Sequence, residues 1–413
     1  MRDRVFRHLD RHAGQVTALL DRLVRVPTVN PPGTDYAACT QLLAAELRRL
    51  GLQTRRLRVP AAVQRRLLPG TAGHPRFNVV GFWNTGARTT LHFNGHYDVV
   101  PADPAGWSGD PFQPRVSGGR IYGRGTGDMK GALAAVCYAL SGLRAAGAAP
   151  RCNVEVSFTA DEETDSALGA AWLARHGKLR ATHVVVGEAG SGPAICCGHN
   201  GCLWFRLHVR GRPAHGASPA AGINAFEKMA ALAVELEHYK TRIARRSFVA
   251  PDGGVLRPTV TLGGVFAGGA GGKVNTVPGA AYFTVDRRLL PNEDPARAEA
   301  EFRRFLAAAA RRIPLLQVRV ERFTVSGALY TPPVSPLFRA LAASVRRVRG
   351  SPARPHVSTG FNDMHFFARI LGVPVVGYGP LGAHYHGIDE CASVRDLVTT
   401  AKIYADLMLS FAG

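Results

Sequence analysis

The chain has 413 residues, 46% of them hydrophobic, a formal net charge of +21 and seven scattered cysteines. That length exceeds one ordinary core and points to two domains. The opening MRDRVFRHLDRHAGQV lacks the continuous apolar run of a signal peptide, no stretch approaches the ~18 uncharged apolar residues of a membrane span, and an odd cysteine count with Cys196 beside Cys197 is no disulfide framework. The arginines are spread as pairs along helices, as in AAELRRL and EFRRFLAAAARRI, with no basic run interleaved with aromatics. The expectation is therefore a soluble cytoplasmic protein with no membrane and no nucleic-acid partner.

From the start to about Ala189 helix and strand alternate. TDYAACTQLLAAELRRLG has helical spacing, with Thr34 as N-cap and Gly51 at the stop. FNVVGFW, TTLHFNGHYDVV, NVEVSFTAD and THVVVGEA are short, apolar and β-branched, with the helical MKGALAAVCYALSGLRAAG and ALGAAWLARHG between them. Such alternation implies βαβ units in a mainly parallel sheet, whose sites form at the carboxyl ends of strands. The middle changes order: strand LWFRLHVRG, helix AGINAFEKMAALAVELEHYKTRI, strands PTVTLGGVFAG and GAAYFTVDRRL, helix PARAEAEFRRFLAAAARRI and strand LQVRVERFTV. That β-α-β-β-α-β order is the split βαβ of a ferredoxin-like α+β domain. The Pro-rich SGALYTPPVSP then leads back to a helix, the strand GVPVVGYG and a last helix. The expected organisation is a catalytic α/β domain of residues 1–200 and 327–413, interrupted by an inserted domain of residues 201–326.

The strand ends of the first domain share a chemistry. His96 and Asp98 follow LHFNG, Asp128 follows GRIYGRGTG, Asp161, Glu162 and Glu163 follow NVEVSFTA, and Glu188 follows THVVVG. A single acid in such a place is as well explained by a helix N-cap or a solvated turn. Four segments that each deliver one, in a chain with 30 acids against 51 Lys and Arg, favour a metal site. Carboxylates mixed with imidazole suit Zn²⁺, Co²⁺ or Mn²⁺, and a shared carboxylate suits a pair of ions. The C-terminal GAHYHGIDE offers His384 and His386 as further ligands.

The segments NGHYDVVP, GWSGDPFQPRVSGGRIYGRGTGDMKG, FTADEET and GRPAHGASPAAGINA, in this order, resemble the M20 metallopeptidase family of deacylases, desuccinylases, aminoacylases and carboxypeptidases. The resemblance implies a zinc-hydrolase catalytic domain with an inserted lid and dimerisation domain, and two divalent ions, Zn²⁺ first and Co²⁺ or Mn²⁺ as alternatives. It assigns His96 and Glu188 to one metal, Glu163 and a C-terminal His to the other, and Asp128 as the bridge. HGIDE is similar to the family's His-x-x-Asn/Asp-Glu pattern, which selects His386 over His384. Asp98 would bond the free ring nitrogen of His96 and fix its tautomer. Glu162 would be the general base for a metal-bridged hydroxide attacking an amide carbonyl.

By the same resemblance His215, in GRPAHGAS, is the lid histidine that reaches the partner subunit's site and stabilises the oxyanion. KVNTVP and TVDRRLL set Asn275 and Arg288 against substrate. The resemblance weakens at STGFNDMHFF, where Phe361 stands in place of a substrate-binding Thr, which counts against succinyl-diaminopimelate as substrate. The expected activity is hydrolysis of an N-acyl amino acid or related amide by a homodimer, with a di- or carboxypeptidase as the alternative. An inactive basic nucleic-acid-binding protein would need a broken ligand set, and none of the ligand positions is missing.

Overall fold

The computed structural model describes residues 1–188, 190–269 and 272–413. Its contacts form two units, one of Met1–Gly198, Thr331–His356 and Asn362–Gly413, the other of His199–Tyr330 and Val357–Phe361.

In the first unit seven strands lie in the order Gln53–Arg58, Phe77–Trp83, Asn153–Thr159, Thr90–His96, His183–Val186, Val375–Gly377 and Ala194–His199. The four from Asn153–Thr159 to Val375–Gly377 run parallel, and the flanking pairs are antiparallel. Parallel strands are covered on both faces, and every residue of Thr90–His96 and Asn153–Thr159 is buried. The buried helix Gly131–Ala145 packs on the C-terminal helix Val394–Ser410. No helix among the described residues is long and apolar enough to cross a membrane.

Register decides where the chemistry emerges. His96 pairs with Thr159, and Asn94 pairs with both Ser157 and Val186. Three parallel strands therefore end level, and the segments carrying His96, Asp161 to Glu163 and Glu188 leave from one edge. Asp128 comes from a separate loop after the short strand Arg120–Tyr122. Gly125 in that loop has φ +85°, and a Cβ there would lie 2.5 Å from Val99 Cγ1, so only glycine lets the loop pass.

The first unit corrects one expected cap. The helix starts at Tyr36, after Asp35 in the left-handed region, and Asp35 makes no side-chain cap bond. Thr34 Oγ1 instead donates to Pro27 O at 2.5 Å and accepts from Val29 N at 3.1 Å. Its hydroxyl closes the preceding turn and is not available to the helix.

The second unit is a four-stranded antiparallel sheet in the order Thr259–Gly268, Ala280–Leu289, Gly201–Arg210, Gln317–Ser326. Its helices Ala225–Ile243 and Pro295–Arg312 cover one face, with Leu203, Phe205, Leu207 and Val209 packed among Leu232, Leu236, Phe302 and Leu306. Both helices are capped in sequence-legible ways: Asn224 accepts from Phe226 N and Glu227 N, and Asp294 accepts from Arg297 N ahead of Pro295. Each cap contributes about 1 kcal/mol. Phe361, expected in the returning catalytic segment, groups with this unit. Its ring faces Trp204, with centroids 6.4 Å apart, and lies 5.7 Å from the Arg288 guanidinium.

Candidate metal centre

Asp128 stands between two imidazoles. Its Oδ1 is 3.1 Å from His96 Nε2 and its Oδ2 is 3.3 Å from His386 Nε2. His386 Nε2 is also 3.2 Å from Glu163 Oε2, and Glu162 Oε2 lies 3.9 Å from His96 Nε2. The adjacent acids thus divide, one toward each histidine, because they follow Asp161, whose φ of +65° turns the chain sharply into the Glu162–Thr164 turn. One atom each of His96, Asp128 and Glu163 falls within 4.8 Å of the others.

The electrostatics call for cations. Burial works to raise the Asp128 carboxyl, but the hydrogen bonds to His386 and His96 outweigh it and hold it below the carboxylate range. His386, bonded by Asp128 and Glu163, is pushed up to about 10. Glu162 is raised well above a normal carboxyl by burial and then by repulsion from Glu188, and Glu188 by burial and then by Asp128. Glu163 Oε1 and Glu188 Oε2 are buried with no hydrogen-bond partner. Orphaned buried carboxylate oxygens are costly unless something positive binds them. This donor set fits two divalent ions.

The surroundings orient the candidate ligands. His96 Nδ1 is 3.0 Å from the carbonyl O of Asp98 and 3.5 Å from its Oδ1. The expected contact with the Asp98 carboxylate is present but long, and the backbone carbonyl of the same residue makes the shorter one; both put the proton on Nδ1 and would leave the Nε2 lone pair for a metal. The carboxylate has further partners: it accepts from Glu162 N and Glu163 N, both at 3.2 Å, and from Asn30 Nδ2 at 2.9 Å. It fixes the turn that carries both glutamates. His384, the competitor of His386, is exposed, as His386 also is; the two differ in that the ring of His386 meets Asp128 and Glu163, while the carbonyl of His384 closes the turn to Gly387.

Several contributors were not singled out from the sequence. Asp161 is held by Arg76 Nε at 2.9 Å, Tyr36 Oη at 3.0 Å and Asn30 at 3.2 Å. Glu390 accepts from Gly125 N, Gly127 N and Asp128 N, and from Arg124. Asp363 is buried, accepts from Ser166, and is pushed up to about 6 chiefly by burial. Glu390 had a signal, as the last letter of HGIDE, and Asp363 lay in the turn noted only for Phe361. Asn30, Arg76 and Tyr36 had none.

The other expected site residues belong to the second unit. His215 is exposed on a two-residue ribbon opposite Thr276, and Asn275 O accepts from Gly216 N at 2.7 Å, so these two are neighbours. His215 Nδ1 accepts from Ala217 N at 3.1 Å, which leaves the ring proton on Nε2 as a free donor. Arg288 is not a free fork: its Nε and Nη2 lie 3.0 and 2.9 Å from Asp286 Oδ2.

Residues 92–410 match the family described as Peptidase family M20/M25/M40. The chain belongs to this family. Like other M20 members it is a hydrolase, and its similarity to curated relatives runs almost end to end. It is 31% identical over 411 residues to a succinyl-diaminopimelate desuccinylase of Stenotrophomonas maltophilia, covering 95% of this chain and 99% of that one. Among solved structures, a di-peptidase from Saccharomyces cerevisiae has a TM-score of 0.74 at 16% identity, covering 100% and 98% of the two chains. A dinuclear metal-binding M20 peptidase from Bacillus subtilis has a TM-score of 0.67 at 14% identity, covering 96% and 97%. At these identities the structures speak for a shared fold.

Proposed function

We propose that this M20 hydrolase removes the acyl group from an N-acyl amino acid or related small amide. The observation that carries the reading is the division of Asp128 between His96 and His386, with Glu163 and Glu188 presenting unpartnered buried oxygens. His96, Glu188 and one Asp128 oxygen would hold one divalent ion, and Glu163, His386 and the other oxygen a second, with Zn²⁺ the first choice for this mixed donor set. Such ions, when bound, acidify water and polarise an amide carbonyl. Glu162, left outside that set, would take a proton from the attacking water and return it to the leaving amine. His215 Nε2–H would donate to that carbonyl oxygen in the partner subunit's site as the oxygen gains charge. Asn275 beside it, and Arg288 once released from Asp286, would meet the substrate carboxylate.

The protein is proposed to act as a homodimer joined through the second unit. Support comes from the strand Thr259–Gly268 at the sheet edge, where Val265 and Phe266 are 54% and 71% exposed. Apolar side chains on an unpaired edge favour pairing with another strand. A cytoplasmic location suits the seven cysteines, all buried and none in a disulfide.

The relative's desuccinylase name leaves the acyl group open, because Phe361 faces Arg288 where a small polar residue is expected. A panel of N-acetyl, N-succinyl and N-formyl amino acids, with dipeptides alongside and Zn²⁺ or Co²⁺ supplied, tests the reading. Turnover of an N-acyl amino acid above every dipeptide is expected; turnover of dipeptides alone would assign a peptidase.

A further inference from the structure

Side chains alternate along a strand. In Gly201–Arg210 the apolar Leu203, Phe205, Leu207 and Val209 face the helices, so Trp204, Arg206, His208 and Arg210 face the opposite way. Register fixes their neighbours on this helix-free side. Arg210 sits between Ala280 and Gln317, His208 between Tyr282 and Arg319, and Arg206 between Thr284 and Glu321. The fold thus builds the cluster of cations and rings that the linear sequence lacks.

The cluster has the parts of a recognition surface. The Arg206 guanidinium lies 5.3 Å from the Tyr282 ring and 5.5 Å from the Phe323 ring. His208, Arg210, Tyr282, Gln317 and Arg319, with Gly268 and Gly269 at the rim, line an open depression of about 480 Å³. Glu321 is the one acid in the three rows. It is engaged by His208 Nε2 at 2.7 Å, Arg319 at 3.5 Å and Arg206 at 3.9 Å. Three arginines against one acid leave the face positive, on a chain of net charge +21.

We propose that this sheet face binds single-stranded nucleic acid, with Arg210 and Arg319 on phosphates and the Arg206, Tyr282 and Phe323 cluster beneath bases. An acidic peptide would satisfy the arginines but make no use of the rings, whereas bases stack on them. The cluster runs four residues along the strand, about 14 Å at 3.4 Å per residue. That is too long for one mononucleotide and suits a short strand. The proposal does not require the hydrolytic reading, although the same face continues through Trp204 and Phe361 to Arg288.

Fluorescence anisotropy of the full chain with a labelled dodecauridylate, at 50 and 200 mM salt, tests it. Arg210→Glu/Arg319→Glu should raise Kd at least tenfold and reduce the salt slope by about 1.4, two contacts at ~0.7 each. Tyr282→Ala should weaken binding several-fold with the slope unchanged. The equal charge change Arg65→Glu/Arg66→Glu, on an exposed helix of the first unit, should leave Kd within twofold. Arg210→Gln reads the same contact if the double reversal does not fold. Equal losses in both charge-reversed pairs, no binding at 50 mM salt, or competition by uridine monophosphate or polyglutamate as effective as by the oligonucleotide would overturn the proposal.

Discussion

Glu390 holds Asp128 from behind: its Oε1 accepts the backbone N–H of Asp128 at 2.9 Å. The same carboxylate gathers Gly125 N and Gly127 N and pairs with buried Arg124, so the loop that delivers Asp128 is wrapped around one acid. Glu390→Gln turns one acceptor into a donor facing N–H groups. Groups that orient ligands typically account for 10–100-fold in metal affinity, and a loss of that size is expected when zinc binding is measured by competition with a chelator. An unchanged zinc affinity would make Glu390 a fold residue only.

Glu162 and Glu163 make opposite predictions although they are neighbours. Glu163 Oε2 faces His386, whereas Glu162 faces His96 at the longer 3.9 Å. Glu162→Ala should therefore keep two ions per chain by elemental analysis and lose turnover by about 10²–10⁴. Glu163→Ala should lose an ion. Loss of metal from the Glu162 variant would move Glu162 into the ligand set.

The His215 proposal is testable by mixing. If Nε2–H serves the partner's site, His215→Ala and Glu162→Ala chains should complement each other in a heterodimer that has one site with both residues intact. Loss of an oxyanion donor costs about 10²–10³ in turnover, so the mixture should stand well above either parent taken through the same subunit exchange. Confirmed heterodimers as inactive as their parents would confine His215 to its own chain or to no role.

A pH response is expected from His199, which is buried and pushed down to about 4 chiefly by desolvation. Because its folded value lies below the unfolded one of about 6.5, the unfolded chain binds the proton first. Its contribution is intact above pH 6.5 and is lost as pH falls toward 4, by up to ~3 kcal/mol. Thermal unfolding from pH 7.5 to 4.5 should decline less steeply in His199→Gln than in the native chain. Parallel declines would assign the acid sensitivity to other groups.

The legible part of the site was the part that repeats a local pattern. His96, Glu163 and Glu188 each follow an apolar β-branched run, and a strand end in a parallel sheet is a place as well as a conformation. Asn30, Tyr36 and Arg76 carry no such mark: they reach Asp98 and Asp161 from 68 to 131 positions away, and one amide, phenol or guanidinium looks like any other in sequence. Thr34 misled because its hydroxyl had two backbone claims and the turn won over the helix. The cationic sheet face was hidden for a related reason, since Arg206, Tyr282 and Arg319 become neighbours only through strand register. The order of the second unit was readable because its strands and its two long helices are each continuous segments in the sequence, arranged β-α-β-β-α-β.

The central claim is that Asp128 is shared between two metal ions. Crystals of the zinc-loaded protein, with anomalous data collected at the zinc edge, test it most directly. Two peaks about 3.5–4 Å apart are predicted on either side of the Asp128 carboxylate, one against His96 and Glu188 and the other against Glu163 and His386. A single peak, or a second peak held by His384 with His386 turned to solvent, would contradict the account.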